Sequence, residues 1–483
     1  MDIRSVLVGL FAASLAGGPA VATGLEHTLR WAVDHASGTN SVSHAAGRAY
    51  IASGLTLHAL SLATGMPEGE VAIDPDRFGA ITGVAAHAGL VAISVTDRAG
   101  KTESGWVLLY RVPGLQLQQE LRVGAGPDML AFSPFGSKLL VANEGEPECR
   151  LEGGHATLVD PEGSVTVIEL AHGFAYRTRT IGFTEWNGRE RELIDQGVRI
   201  FGPSATAAQD LEPEHIAIGP FGFRAWVTLQ ENNAVALLDL AADPPRVTRI
   251  VGLGDKDHGL GENALDANDA DGLAERRTHP GLYGMYQPDG IAAGLVGGRV
   301  LLFTANEGDA RDYPPCFSEE VRVRNLSLDP ARFSAAERDL LRNLRVTTTR
   351  GQQGGVHQEL YAFGGRSFSI LDADGDRIFE SGSVMEDWLA GSAYFYDSRS
   401  DDKGPEPEDV AFGRVGGRPF LFVGLERANG AMAFLINRNG TASVAAFPER
   451  LAFVPALGDQ PALLLVTNEI SGTTRAFELK LIP

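Results

Sequence analysis

Apolar positions along this chain fall in short runs of about four to eight residues, separated by glycine, proline and acidic turns. Few runs keep a helical period. One phrase recurs: Pro, an acid, any residue, an apolar residue, and often Ala. It appears as Pro127-Asp128-Met129-Leu130-Ala131, Pro213-Glu214-His215-Ile216-Ala217, Pro288-Asp289-Gly290-Ile291-Ala292, Pro407-Glu408-Asp409-Val410-Ala411 and Pro448-Glu449-Arg450-Leu451-Ala452. Each copy leads into an apolar strand, a Gly- or Pro-containing turn and a second apolar strand, over 138–142, 225–229, 300–305, 420–424 and 462–467. Each second strand is followed by a glutamate: Glu144, Glu231, Glu307, Glu426 and Glu469. The spacing from first acid to second is 16, 17, 18, 18 and 20 residues. Third strands follow over 163–170, 234–240, 361–372 and 431–436. Two earlier units, from Val42 and from Ile81, keep the strand rhythm without the acids.

About seven units of three or four short antiparallel strands predict an all-β chain. The expected architecture is a single seven-bladed β-propeller over residues 23–483, with helical and loop insertions on one face. A pair of β-sandwiches is the competing architecture, but it does not explain a phrase repeated five times. Three polar stretches break the period. Residues 174–209 carry a helix near Gly188 to Asp195, and 252–286 are rich in Asp and Gly. Residues 309–355 carry a helix around Ala335 to Leu344, with Ser334 as N-cap and Glu337 at its third position. Excursions this long predict a lid or rim.

In antiparallel neighbours the start of one strand and the end of the next share an edge. Asp128, Glu214, Asp289, Glu408 and Glu449 should therefore gather with Glu144, Glu231, Glu307, Glu426 and Glu469 around the axis, with Asp309 beside them. Crowded carboxylates raise one another's pKa and call for a cation. Ca²⁺ is the simplest divalent choice, because it takes six to eight oxygens from flexible ligand sets. Turn chemistry alone accounts for any one of these acids; five copies at matched offsets favour a polar or metal site. Arg311, Arg366, Arg399, Lys403 and Arg427 lie near them in sequence. Arginine grips phosphate or carboxylate oxygens in pairs. These bases either neutralise the acids or, with metals, bind a phosphoester.

The 483 residues are 44% apolar and 21% charged, an ordinary globular balance. A formal charge of −21 disfavours nucleic acid and anionic lipid and favours cations. Arg4, the uncharged stretch from Ser5 to Ala16, and Ala20-Val21-Ala22 read as a signal peptide over 1–22. That predicts a secreted or periplasmic protein with no membrane span after cleavage. Cys149 and Cys316 permit one disulfide or two free thiols. No HExxH, GxSxG, CxxC or dinucleotide-binding GxGxxG unit is present, and no nucleophile stands out.

Several longer phrases resemble the choice-of-anchor I family, which is related to mesenchyme-specific cell-surface glycoproteins. They are Asp210-Leu211-Glu212-Pro213-Glu214, residues 226–233, Gly284-Met285-Tyr286-Gln287-Pro288-Asp289, residues 304–311, residues 363–370 and residues 399–408. The resemblance spans nearly the whole chain. It implies an exported WD40/YVTN-like propeller. Some members are labelled alkaline phosphatases, and animal relatives are associated with mineralised matrix. Two functions are thus expected. One is a divalent-cation-binding propeller that presents a face to a ligand or extracellular-matrix partner. The other is a metal-dependent phosphoesterase acting on a phosphorylated small molecule.

Overall fold

A computed structural model describes residues 25–482 except 173, 391, 393, 429, 447–451, 459 and 469–471. The predicted signal segment, Glu449 and Glu469 lie outside the described residues. The chain is all-β. Seven four-stranded antiparallel sheets follow one another along the sequence. The first runs Thr39–Ala45, Arg48–Ser53, Thr56–Ser61, Pro67–Ala72, and the second Phe78–His87, Leu90–Asp97, Ser104–Arg111, Gln116–Ala125. The third to sixth begin with Pro127–Phe132, Pro213–Ile218, Ile291–Val296 and Pro407–Val415. The seventh comprises Ala452–Val454, Ala462–Asn468 and Thr473–Leu481, and its outer strand is the N-terminal Leu25–Asp34, paired from Leu25↔Leu481 to Asp34↔Thr473. The two ends of the chain therefore close one sheet together.

The first strands of successive sheets lie against one another, and that of the seventh lies against that of the first. The apolar cores sit between sheets. Val91, Ile93 and Tyr50 pack the first against the second; Leu139, Val141 and Val107 pack the second against the third. Similar clusters fill every later interface, including the one between seventh and first, where Ile51 and Leu60 meet Leu463 and Leu465. Because both faces of each sheet are covered, central strands such as Leu421–Val423 read as unbroken apolar runs.

Long excursions leave from second-to-third or sheet-to-sheet connections, which share the edge where the first strands begin. The opposite edge carries short hairpins. One excursion holds the hairpin Glu148–Glu152/His155–Val159, and another the short strands Asp312–Tyr313 and Phe317–Ser318. Cys149 and Cys316 form a disulfide that ties these two excursions across 167 residues of sequence. Three distant stretches also build a five-stranded sheet, ordered Asp255–Asp257, Leu282–Met285, Leu360–Ala362, Arg345–Thr347, Glu320–Arg322. Its own core includes Leu282, Phe333, Leu341, Val346 and Leu360.

Some sequence expectations shift. The predicted strand 361–372 is two strands: Leu360–Ala362 pairs in parallel with Leu282–Met285, and Ser367–Asp372 belongs to the fifth sheet. Gly364 (φ 80°) and Arg366 (φ 50°) break the chain between them. The two expected helices are Glu190–Asp195 and Ala335–Leu340, and Ala207–Asp210 and Val384–Leu389 are helical as well. Ser334 does cap the second, accepting from the Glu337 N–H, but the helix stops at Leu341 rather than running to Leu344.

Candidate functional site

The recurring phrase begins the first strand of the third, fourth and sixth sheets, and each time the pairing skips. Pro127 pairs with Asn143 but Leu130 with Val141, and the same slip separates Pro213 from Ile216 and Pro407 from Val410. Such a bulge sets two residues against one and re-aims their side chains. The bulged pairs are Asp128-Met129, Glu214-His215 and Glu408-Asp409. In the fifth sheet the Asp289 N–H donates to the Ala305 carbonyl, and the Gly290 N–H reaches the Glu408 carbonyl of the next sheet at 2.8 Å.

These residues line a cavity of about 630 Å³ that touches six of the seven sheets and, through Asp289, the segment leading into the fifth. Asp128, Glu214, His215, Asp289, Glu408 and Asp409 supply its acidic end. Its walls, through Ala85–His87 and Ala131–Pro134, run to the hairpin edge. Asp128, Glu214 and His215 each offer a donor atom, and these atoms all lie within 4.8 Å of one another. His215 Nδ1 stands 2.9 Å from Asp289 Oδ1.

The electrostatics follow from this enclosure. Burial, with the Asp289 and Glu146 charges adding to it and His215 opposing it, pushes Asp128 up to about 6. Burial and the neighbouring carboxylates raise Glu144 and Glu214 well above the ordinary range. Burial alone would lower His215, but Asp289, Asp409 and Asp128 override it and hold the imidazole up at about 10. His215 therefore acts as a cation among the acids at neutral pH.

The second set of glutamates lies above the cavity, under the excursions. Glu231 is pushed up to about 7 by burial, with Arg311 opposing. Glu307 rises to about 8, again by burial, against the pull of Lys403. Glu307, Glu406 and Glu426 bring donor atoms within 4.8 Å of one another. This second group is already compensated. Lys403 lies 3.2 Å from Glu307 and 3.5 Å from the exposed Asp309, and Gln230 donates to Glu307 at 2.9 Å. Arg399 pairs with Glu406, and Arg427 reaches Glu406 at 3.0 Å and Glu426 at 3.2 Å. Among the described residues of the first group, His215 is the cationic side chain. Among the described residues, no lysine or arginine pairs with Asp128, Glu144 or Glu214.

All five bases singled out from the sequence are engaged with carboxylates. Arg311 is buried and holds Asp210, Glu212 and the Asp210 carbonyl. Arg366 is buried away from the acids of the repeat, bound to Glu386 and to the Asp266, Ser400 and Asp402 carbonyls. Arg399, Lys403 and Arg427 serve the compensated group. The geometry thus gives these bases structural partners. The Asp372–Asp376 stretch is a turn with Asp374 and Asp376 exposed, in which Asp372 Oδ1 accepts from the Asp374 and Asp376 N–H groups.

Sequence reasoning missed His215, Asp409, Glu212 and Glu406. Glu212-Pro213-Glu214 and Glu406-Pro407-Glu408 share a Glu-Pro-Glu signal that marks the extra acid. His215 and Asp409 occupy the variable third place of the phrase, so only the bulge reveals where they point.

Residues 41–439 match the choice-of-anchor I domain. The chain belongs to the choice-of-anchor I family. Among curated relatives, Gigasin-3a of Magallana gigas is 38% identical to this family member over an alignment of 119 residues that covers 21% of this chain. The match spans 42% of that relative's length. Among solved structures, hydrazine synthase of Kuenenia stuttgartiensis aligns over 93% of this chain and 97% of that chain, with 12% identity and a TM-score of 0.45. No helix among the described residues is long and apolar enough to cross a membrane.

Proposed function

We propose that this chain is an exported protein whose seven sheets are the blades of one β-propeller, and that its axial carboxylates bind a divalent cation. The cyclic order of the first strands and the apolar core at every sheet-to-sheet interface support the propeller. The observation that carries the function is the convergence of Asp128 and Glu214 at one end of the cavity, with the His215 imidazolium beside them and Asp289 behind it. Carboxylates enclosed this tightly stay ionised at neutral pH only at a cost, which a bound cation offsets. A set dominated by oxygen donors of flexible side chains suits Ca²⁺. His215 lowers the local negative charge and keeps Asp289 in place. The excursions roof the acidic end and present their outer surface to a ligand or matrix partner. The phosphoesterase reading has weaker support, since the five bases it needs are bound to carboxylates.

Calorimetric titration with Ca²⁺ tests this. The unaltered protein should give a saturable heat that Asp128→Asn with Glu214→Gln removes. A heat unchanged in the double variant would place the cation elsewhere.

A further inference from the structure

The edge opposite the acids carries a second cavity of about 630 Å³, between the fifth and sixth sheets. Its lining includes Arg414, Arg418 and Arg438, and none of its described lining residues is acidic. That is unexpected in a chain of formal charge −21.

The local sequence explains the arrangement. The first hairpins of these two neighbouring sheets are the same four residues: Val296-Gly297-Gly298-Arg299 and Val415-Gly416-Gly417-Arg418. Val296 pairs with Arg299, and Val415 with Arg418. Both glycines of each turn have positive φ, from 55° to 84°, as a tight two-residue hairpin requires. Each turn thus ends on an arginine at the sheet edge. Arg414 spans the two sheets, donating to the Gly417 carbonyl at 2.9 Å and to the Leu295 carbonyl at 2.7 Å. Two backbone carbonyls fix its guanidinium and leave other N–H donors for a ligand. Arg438, on the next hairpin of the sixth sheet, is exposed, and its backbone lies against Gly297. Arg299 is exposed on the fifth-sheet hairpin, outside the cavity lining.

We infer that this cavity is a binding site for a multiply charged oxyanion, a phosphate or sulfate group carried by a small molecule. Guanidinium groups offer paired N–H donors matched to such oxygens. The cavity has the size of a small-molecule site. Arg414 supplies the pre-set donor, while Arg438, exposed on the neighbouring hairpin, closes on the anion. The cation site lies on the opposite edge, so this inference stands apart from the proposed function.

The test is calorimetry in metal-free, low-salt buffer, with inorganic pyrophosphate and inorganic sulfate titrated separately. The unaltered protein should bind one of them more tightly than about 1 mM, and the tighter of the two names the group. Arg438→Glu should weaken binding at least about tenfold. Arg438→Gln, a milder change at an exposed site, should weaken it less. Arg224→Glu, on the same edge but beside Asp374, should leave it unchanged. Neither anion binding below about 1 mM overturns the inference. So does equal weakening by Arg224→Glu, which would reduce the effect to general surface charge.

Discussion

Replacing Arg311 with methionine should strip the roof of its main internal ion pairs. The guanidinium is 2% exposed and bonds Asp210 Oδ1, the Asp210 carbonyl and, at 2.7 Å, Glu212 Oε1. It also lies 4.5 Å from the centre of the Phe201 ring, whose other approach is taken by Arg199 at 4.0 Å. Asp210 would keep the Phe201 and Gly202 N–H donors and the Asn232 amide. Among the described residues, no other cation pairs with Glu212. One of its oxygens already lacks a hydrogen-bond partner, and burial holds it well above the ordinary carboxylate range. Breaking a buried pair in this way costs about 3–5 kcal/mol, because a charge is left enclosed without its partner. Urea denaturation followed by tryptophan fluorescence measures the loss. The same substitution in a Glu212→Gln background should cost less, by an interaction energy of about 1–3 kcal/mol. A loss below about 1 kcal/mol, as for an exposed pair, would refute this reading and return Arg311 to the list of available anion binders.

Proton linkage gives a second expectation. Folding raises Asp128 from 3.8 to about 6, Glu231 from 4.5 to about 7 and Glu307 from 4.5 to about 8. At these groups the folded chain therefore holds more protons than the unfolded chain between about pH 4.5 and 8, against the opposite contribution of the lowered His27, His35, His44, His258 and His357 below pH 6.5. In that window stability falls as pH rises, by about 1.4 kcal/mol per pH unit for each proton retained. Raised His215 acts in the same direction, its contribution lost between its unfolded value of 6.5 and about 10. Melting in chelator should thus occur at higher temperature at pH 5 than at pH 8, and saturating Ca²⁺ should reduce the difference; a flat or rising profile in chelator contradicts it. At Gly364 (φ 80°), an alanine Cβ would stand 1.9 Å from the Glu307 carbonyl oxygen. Gly364→Ala should lower the melting temperature by several degrees, whereas Gly355→Ala, also at positive φ but with open space around it, should cost only about 1 kcal/mol of backbone strain; equal effects would remove the close-approach argument.

The strand rhythm was legible because most strands are buried on both faces and flanked by turn residues, as in Lys138–Asn143. The acidic phrase was legible because it repeats. The five-stranded sheet of the roof was not. Its strands are three or four residues long, and Leu282–Met285 meets Leu360–Ala362 in parallel across more than seventy residues, so no local pattern marks the pairing. The bases show a different limit. Arg399 and Arg427 stand near the acids in sequence and in space, but Arg366 turns toward Glu386, a direction set by the left-handed backbone at that residue. The cysteine pair was open for the same reason: contact between residues 149 and 316 depends on two excursions meeting over the roof.

The enclosed carboxylates are proposed to hold a divalent cation. Elemental analysis after exhaustive dialysis against Ca²⁺-containing buffer tests it most directly. The account predicts at least one Ca²⁺ per chain above the dialysate, falling to the dialysate level in Asp128→Asn with Glu214→Gln. Calcium equal to the dialysate in the unaltered, folded protein would contradict it.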